Sequence, residues 1–148
     1  MGNATKQIFL SYSGEDAFEA GLLQFALENL LSDLGAQVWT FQRDQQTNQK
    51  GIASSLKDKI RDSRSGVFLV SPFTLDYGAT QWMELAYLDA YEVPTYILLH
   101  HVTFQDLKSR ERGIPPLLLE SQCNPAINWK LIASDIRGDW VGRPRRPI

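Results

Sequence analysis

The chain has 148 residues, with 15 Lys+Arg against 17 Asp+Glu and a formal net charge of −2. At 43% hydrophobic and 22% charged residues the composition is that of one folded domain, which excludes disordered, collagen-like and coiled-coil readings. The slight acidic balance argues against a direct nucleic-acid binder, which needs a basic excess to neutralise phosphates.

Ile8-Phe9-Leu10 is a short apolar run that stops at the turn-forming Ser11-Tyr12-Ser13-Gly14. Asp16 is placed to cap the next helix. Phe18, Leu22, Leu23, Phe25, Leu27, Leu30, Leu31 and Leu34 recur at helical spacing, and Gly35 ends that helix. Val38-Trp39-Thr40-Phe41 is rich in β-formers and predicts a second strand, with Trp39 in the core. From Gln42 to Lys50 there is no apolar residue, so a long polar loop is expected there. Ile52, Leu56 and Ile60 predict a helix beyond Gly51.

Gly66-Val67-Phe68-Leu69-Val70 is a continuous apolar run of strand length, ended by Ser71-Pro72. Ser71 and Asp76 are read as turn and cap residues. Thr80 to Glu92 predicts a helix, Pro94 to Leu99 a fourth strand, and Phe104 to Arg110 a short helix or turn. Leu117-Leu118-Leu119 is assigned as the fifth strand and Ile127 to Ile136 as the last helix. Residues 141–148 are Pro/Arg-rich and read as a tail or linker after a domain of residues 1–140.

Non-alternating apolar strands separated by helices predict a parallel sheet covered on both faces. About five such units suggest a flavodoxin-like doubly wound sheet in the order 2-1-3-4-5. A ligand crevice is then expected where the chain reverses direction, beyond the carboxyl ends of strands 1 and 3. Its lining would come from Ser11 to Asp16 and from Ser71 to Glu84.

The single cysteine, Cys123, can neither close a disulfide within the chain nor build a cysteine-based zinc site. His100 and His101 are neighbours in a strand-end segment, point to opposite faces and make a poor metal pair. No metal is therefore expected. No apolar run approaches the length of a membrane span, and Met1 to Gln7 is polar, so a cytoplasmic protein is expected. The turn Ser11 to Asp16, with two acids and one glycine, is a poor flavin-phosphate cradle. The third strand ends in Val70-Ser71 and lacks the aspartate of a phospho-accepting regulator.

The segment Ile8-Phe9-Leu10-Ser11-Tyr12-Ser13 resembles the first box of the Toll/interleukin-1 receptor (TIR) domain. The polar loop ending in Gly51, the run Phe68-Leu69-Val70-Ser71-Pro72 and the segment Trp82-Met83-Glu84-Leu85 resemble further TIR elements in the family's order. The resemblance spans about Lys6 to Arg137 and is to the bacterial-type, NAD-cleaving branch.

That resemblance implies cleavage of the nicotinamide–ribose bond of NAD+, taken as substrate and not as cofactor, to ADP-ribose or a cyclic variant. It gives Glu84 the essential catalytic role. Ser11, Tyr12 and Ser13 are expected to border the crevice from their place after the first strand, and Trp82 is a candidate to stack on nicotinamide or adenine. Thr80 stands where many enzymatic members carry a tryptophan. Arg43 and Lys50 are the candidates for the pyrophosphate, since Gly14 and Glu15 replace the basic residues that many members carry after the first box. Asp44 is assigned to fixing the polar loop. The implied partners are other TIR domains in head-to-tail association and a fused or separate sensor module, in immune defence. The other job in the family is that of a non-catalytic adaptor joining TIR domains.

The chemistry needs little apparatus. Nicotinamide in NAD+ already carries positive charge on its ring nitrogen and leaves as a neutral base without a proton. One carboxylate beside the ribose can therefore suffice, by stabilising the oxocarbenium charge that develops.

Overall fold

The computed structural model describes residues 5–40, 52–110 and 114–142. Five parallel strands form one sheet: β1 (Gln7–Ser11), β2 (Gln37–Trp39), β3 (Ser65–Val70), β4 (Thr95–Leu99) and β5 (Cys123–Pro125). Their order is β2-β1-β3-β4-β5, the expected doubly wound arrangement. The helices are α1 (Ala17–Leu30), α2 (Ile52–Arg61), α3 (Pro72–Tyr77), α4 (Ala79–Ala90), α5 (Phe104–Ser109), α6 (Pro116–Glu120) and α7 (Trp129–Val141).

The strands bury both faces because their side chains alternate between two helical layers. Ile8, Leu10, Val67, Leu69 and Leu98 pack with Ala20 and Leu27 of α1 and with Ile132, Ala133, Ile136 and Trp140 of α7. On the other face Phe9 packs with Trp39, with Leu56 and Ile60 of α2 and with Leu88 of α4. Phe68, Val70, Ile97 and Leu99 pack there with Leu85 of α4 and with Leu107 and Leu118 of α5 and α6. Burial of side chains this size contributes roughly 1.5–3 kcal/mol each, so the central strands anchor the fold. Ser11 alternates in step with Phe9 and lies on the α4 side of the sheet, paired in register with Phe68.

Three sequence expectations are corrected. The fifth strand is not Leu117-Leu118-Leu119: Pro115 and Pro116 start a short helix there, and Leu118 is the buried side chain of α6. The true edge strand, Cys123-Asn124-Pro125, is three mixed residues with no hydrophobic pattern to reveal it. Asp16 makes no side-chain cap to α1; its carboxylate accepts from Ser71 instead. Finally, α1 ends at Leu30 and is succeeded by a tighter 3-10 turn over Ser32–Leu34, closed by Gly35 at φ 70°. That left-handed conformation favours glycine, since other residues bring Cβ against the next carbonyl.

The short helix α3 was not expected beyond Ser71-Pro72. A capping box builds it: the Ser71 hydroxyl accepts from the Phe73 and Thr74 amides, while Thr74 Oγ1 accepts from the Ser71 amide at 3.0 Å. The polar loop, with Asp44, and residues 143–148 of the tail lie outside the described residues, as does Phe41. Among the described residues no helix is long and apolar enough to cross a membrane.

Candidate active site

The tips of β1 and β3 are neighbours, and two side-chain bonds tie the segments beyond them into one cluster. The first joins β1 to α4. Ser11 is 1% exposed and its hydroxyl donates to Glu84 Oε1 at 2.6 Å. The second joins the loop after β1 to the start of α3: Ser71 Oγ donates to Asp16 Oδ2, with both residues buried. The two segments chosen as crevice lining are thereby brought into contact.

Glu84 is there because of the inward face of α4. Gln81, Glu84, Leu85 and Leu88 are its buried residues. Leu85 and Leu88 face the apolar middle of the sheet, whereas Gln81 and Glu84, one turn apart, sit earlier in the helix and meet polar groups of β3 and β1. Gln81 Nε2 donates to the Leu69 carbonyl at 2.9 Å. Its Oε1 is buried and has no hydrogen-bond partner among the described residues.

Burial pushes the Glu84 carboxyl up from 4.5 to about 7, and the Ser11 hydroxyl, which favours the ionised form, pulls part of the way back. Ionised Glu84 is therefore a charge in a poorly solvated place, close to neutral pH in its equilibrium. Ser11 holds Oε1, and Oε2 makes no hydrogen bond among the described residues. A carboxyl perturbed in this way beside the tip of the first strand is a candidate for chemistry.

The other sequence candidates are spread around this centre. Trp82 is half-buried and stacks on Phe68, with ring centroids 5.8 Å apart and planes at 19°. Tyr12 packs against the opposite layer, with the α1 and α7 cluster. Ser13 is half-buried and its carbonyl accepts from the Asp16 amide at 2.8 Å. Arg43 and Lys50 lie outside the described residues. His100 Nε2 is 3.7 Å from Glu19 Oε2, which ties the end of β4 to the start of α1, and His101 has a left-handed backbone at φ 58°.

Sequence reasoning passed over Asp16 as a partner of Ser71, and Gln81 altogether. A polar residue three before Glu84 on the same helical face was the available signal for Gln81. The Asp16–Ser71 bond spans 55 positions and has no local signature. Among the described residues, no group of three or more His, Cys, Asp or Glu is gathered that could hold a metal ion.

No protein-family model matches the chain, and no curated protein sequence matches it. Solved structures do. A metazoan TIR-STING receptor from C. gigas, in complex with 2′,3′-cGAMP, is 18% identical with a TM-score of 0.63. The match covers 92% of this chain but 45% of the receptor chain, so this chain spans less than half of that protein. The TIR domains of the activated Roq1 resistosome, which recognises the pathogen effector XopQ, are 19% identical at a TM-score of 0.53, covering 89% of this chain and 83% of that one. A 2-deoxyribosyltransferase from Leishmania mexicana is 15% identical at a TM-score of 0.65, covering 90% of this chain and 98% of that one. The chain has the fold that these TIR domains and this glycosyl-transfer enzyme share.

Proposed function

We propose that the protein cleaves the nicotinamide–ribose bond of NAD+, with Glu84 as the catalytic carboxylate. The observation that carries the reading is the buried Ser11–Glu84 pair at the tip of the first strand. Support comes from the shared fold, found both in TIR domains and in an enzyme named for moving a deoxyribosyl group.

In this reading the C1′–N bond of NAD+ breaks with its electron pair passing to nicotinamide, which departs neutral. Positive charge develops over C1′ and the ring oxygen of the ribose. Ionised Glu84 stabilises that charge and accepts a hydrogen bond from a ribose hydroxyl through Oε2, the oxygen Ser11 leaves open. Water adds to C1′ and loses a proton to give ADP-ribose; attack by an internal nucleophile gives a cyclic product. The low solvation of Glu84 serves this role, because its charge is weakly screened there.

Arg43 and Lys50, in the polar loop Gln42 to Gly51, are proposed to meet the pyrophosphate, and Trp82 to border the substrate. Head-to-tail association through that loop, with another copy completing the site, would keep an isolated copy quiet. A fused or separate sensor would then trigger assembly in immune defence within the cytoplasm.

The test is nicotinamide release from NAD+ at high protein concentration, compared with Glu84→Gln. Release by the parent and a loss of at least roughly a hundredfold in the variant is the expected result. Equal release by both removes Glu84 from the mechanism, and no release by either at any concentration leaves the TIR-adaptor role as the better account.

A further inference from the structure

Two aromatic side chains stand exposed on α3, the short helix that follows the tip of β3. Phe73 is 40% exposed and Tyr77 76%, and at i and i+4 they lie one above the other. The rest of the helix fixes the direction they face. Leu75 packs with Phe68, Val70, Ile97 and Leu99, so its side of α3 is turned toward β4. Thr74 is fully buried and its Oγ1 donates to the Leu69 carbonyl at 3.4 Å, so its side points down onto β3. Phe73 and Tyr77 are each about 160° round the helix from Leu75. They are therefore turned away from β4, toward the β1 side of the sheet and the Ser11–Glu84 pair at its tip.

The aromatic pair is held on a rigid support. The capping box fixes the first turn of α3. Arg110 Nη1 donates to Asp76 Oδ1 at 2.8 Å and ties the last turn to the end of α5. Gly78 then permits a turn so tight that a Cβ there would lie 2.0 Å from the Thr74 carbonyl oxygen. Ser71, at the root of α3, donates to Asp16 in the loop after β1, which holds this wall against the other side of the crevice. Rings fixed in this way accept a flat partner at little cost in ordering entropy.

We propose that Phe73 and Tyr77 form a stacking platform for the adenine base of the dinucleotide. The choice of adenine rests on the proposed cleavage at Glu84. Glu84 is 7% exposed and Ser11 1%, so the ribose–nicotinamide junction that meets them lies in the depth of the crevice. The exposed pair stands at the rim and takes the opposite end of the molecule. Every base has a π-face, and an aromatic side chain covers it whatever hydrogen bonds its edge makes.

Two measurements test this. The first is steady-state release of nicotinamide, at one high protein concentration, from NAD+ and from nicotinamide mononucleotide, which lacks the adenylate. The second is titration with ADP-ribose, which keeps the adenine and binds without turnover. Tyr77→Ala is expected to raise KM for NAD+ roughly tenfold relative to that for the mononucleotide, and to weaken ADP-ribose binding by a similar factor. Tyr77→Phe keeps the ring and is expected to follow the parent in both. The exposure of Tyr77 keeps these substitutions out of the core. Equal losses for both substrates, ADP-ribose binding that is the same in Tyr77→Ala as in the parent, or a parent that does not bind ADP-ribose overturns the proposal. A chain that releases no nicotinamide, yet loses ADP-ribose affinity in Tyr77→Ala, upholds the platform and refutes the catalytic reading alone.

Discussion

The Ser11 hydroxyl and the Glu84 carboxylate, 73 positions apart in sequence, meet at 2.6 Å where the first strand ends. The contact does two opposing things. It holds one carboxylate oxygen in place, and it favours the ionised form in a setting whose burial favours the protonated one. The balance leaves Glu84 titrating at about 7.

Ser11→Ala removes the donor and leaves the burial. Glu84 is then expected to titrate higher still. In the proposed reaction the ionised form is the active one, so the acid limb of the pH–rate profile, expected near 7 in the parent, moves up with it. The same shift should appear in a carbon-13 titration of the Glu84 carboxyl without substrate. A midpoint that stays put in both measurements removes Ser11 from this role.

Glu84 also makes stability depend on pH in a direction opposite to that of a salt-bridged acid. Its folded value of about 7 lies above the ordinary 4.5. Between those values the folded chain keeps a proton that the unfolded chain has lost, so stability falls as pH rises through that window. A shift of this size corresponds to roughly 3 kcal/mol, fully expressed above pH 7. Glu84→Gln is therefore expected to be more stable than the parent at pH 8, with the difference closing toward pH 4.5. Denaturant melts at four or five pH values check it, and a gap independent of pH would contradict it.

The Asp16–Ser71 bond is predicted to be a structural clasp between the loop after β1 and the start of α3. Ser71 donates to Asp16 and accepts from the Phe73 and Thr74 amides, so Ser71→Ala removes a cap and a buried donor at once. A loss of about 2–4 kcal/mol is expected. Asp16→Ala and the double variant complete a cycle, in which a coupling of at least about 1 kcal/mol is expected between the two sites. Additive losses would show that the bond carries no energy of its own.

How legible each element was in the sequence depends on the forces that hold it. β1, β3 and β4 read clearly because strands buried on both faces are apolar without interruption. β5 did not, because an edge strand of Cys123-Asn124-Pro125 is held by pairing to β4 and not by its own hydrophobicity. In α1 the helical spacing was visible, yet Phe18, Leu22 and Phe25 point outward while Ala20, Gln24 and Leu27 are buried. A helix apolar on both sides gives no sequence cue to its inward face. Glu84 is a candidate through the segment Trp82-Met83-Glu84-Leu85, and its contact with Ser11 results from the strand order. Trp82 could be named but not oriented, since its stacking on Phe68 depends on how α4 crosses the sheet.

That crossing depends on Gly66. It stands in β3, and a Cβ there would lie 2.9 Å from Leu88 Cδ2 and 2.9 Å from Thr95 Oγ1. Neither neighbour can yield easily: Leu88 is fully buried on the inward face of α4, and the Thr95 hydroxyl is bonded to the Val93 carbonyl at 2.9 Å. The missing side chain lets α4 lie close on the sheet, and Glu84 is one turn before Leu88 on the same face. Gly66→Ala is therefore expected to cost about 1–3 kcal/mol by overpacking. It should also lift α4 and lengthen the Ser11–Glu84 contact. Nicotinamide release per folded molecule is then expected to fall, with the Glu84 titration midpoint moving away from about 7 as the bond weakens. Urea denaturation gives the stability and the folded fraction; the carboxyl titration gives the second readout. A variant that is destabilised but titrates as the parent does would place the strain in Thr95 and leave α4 where it was.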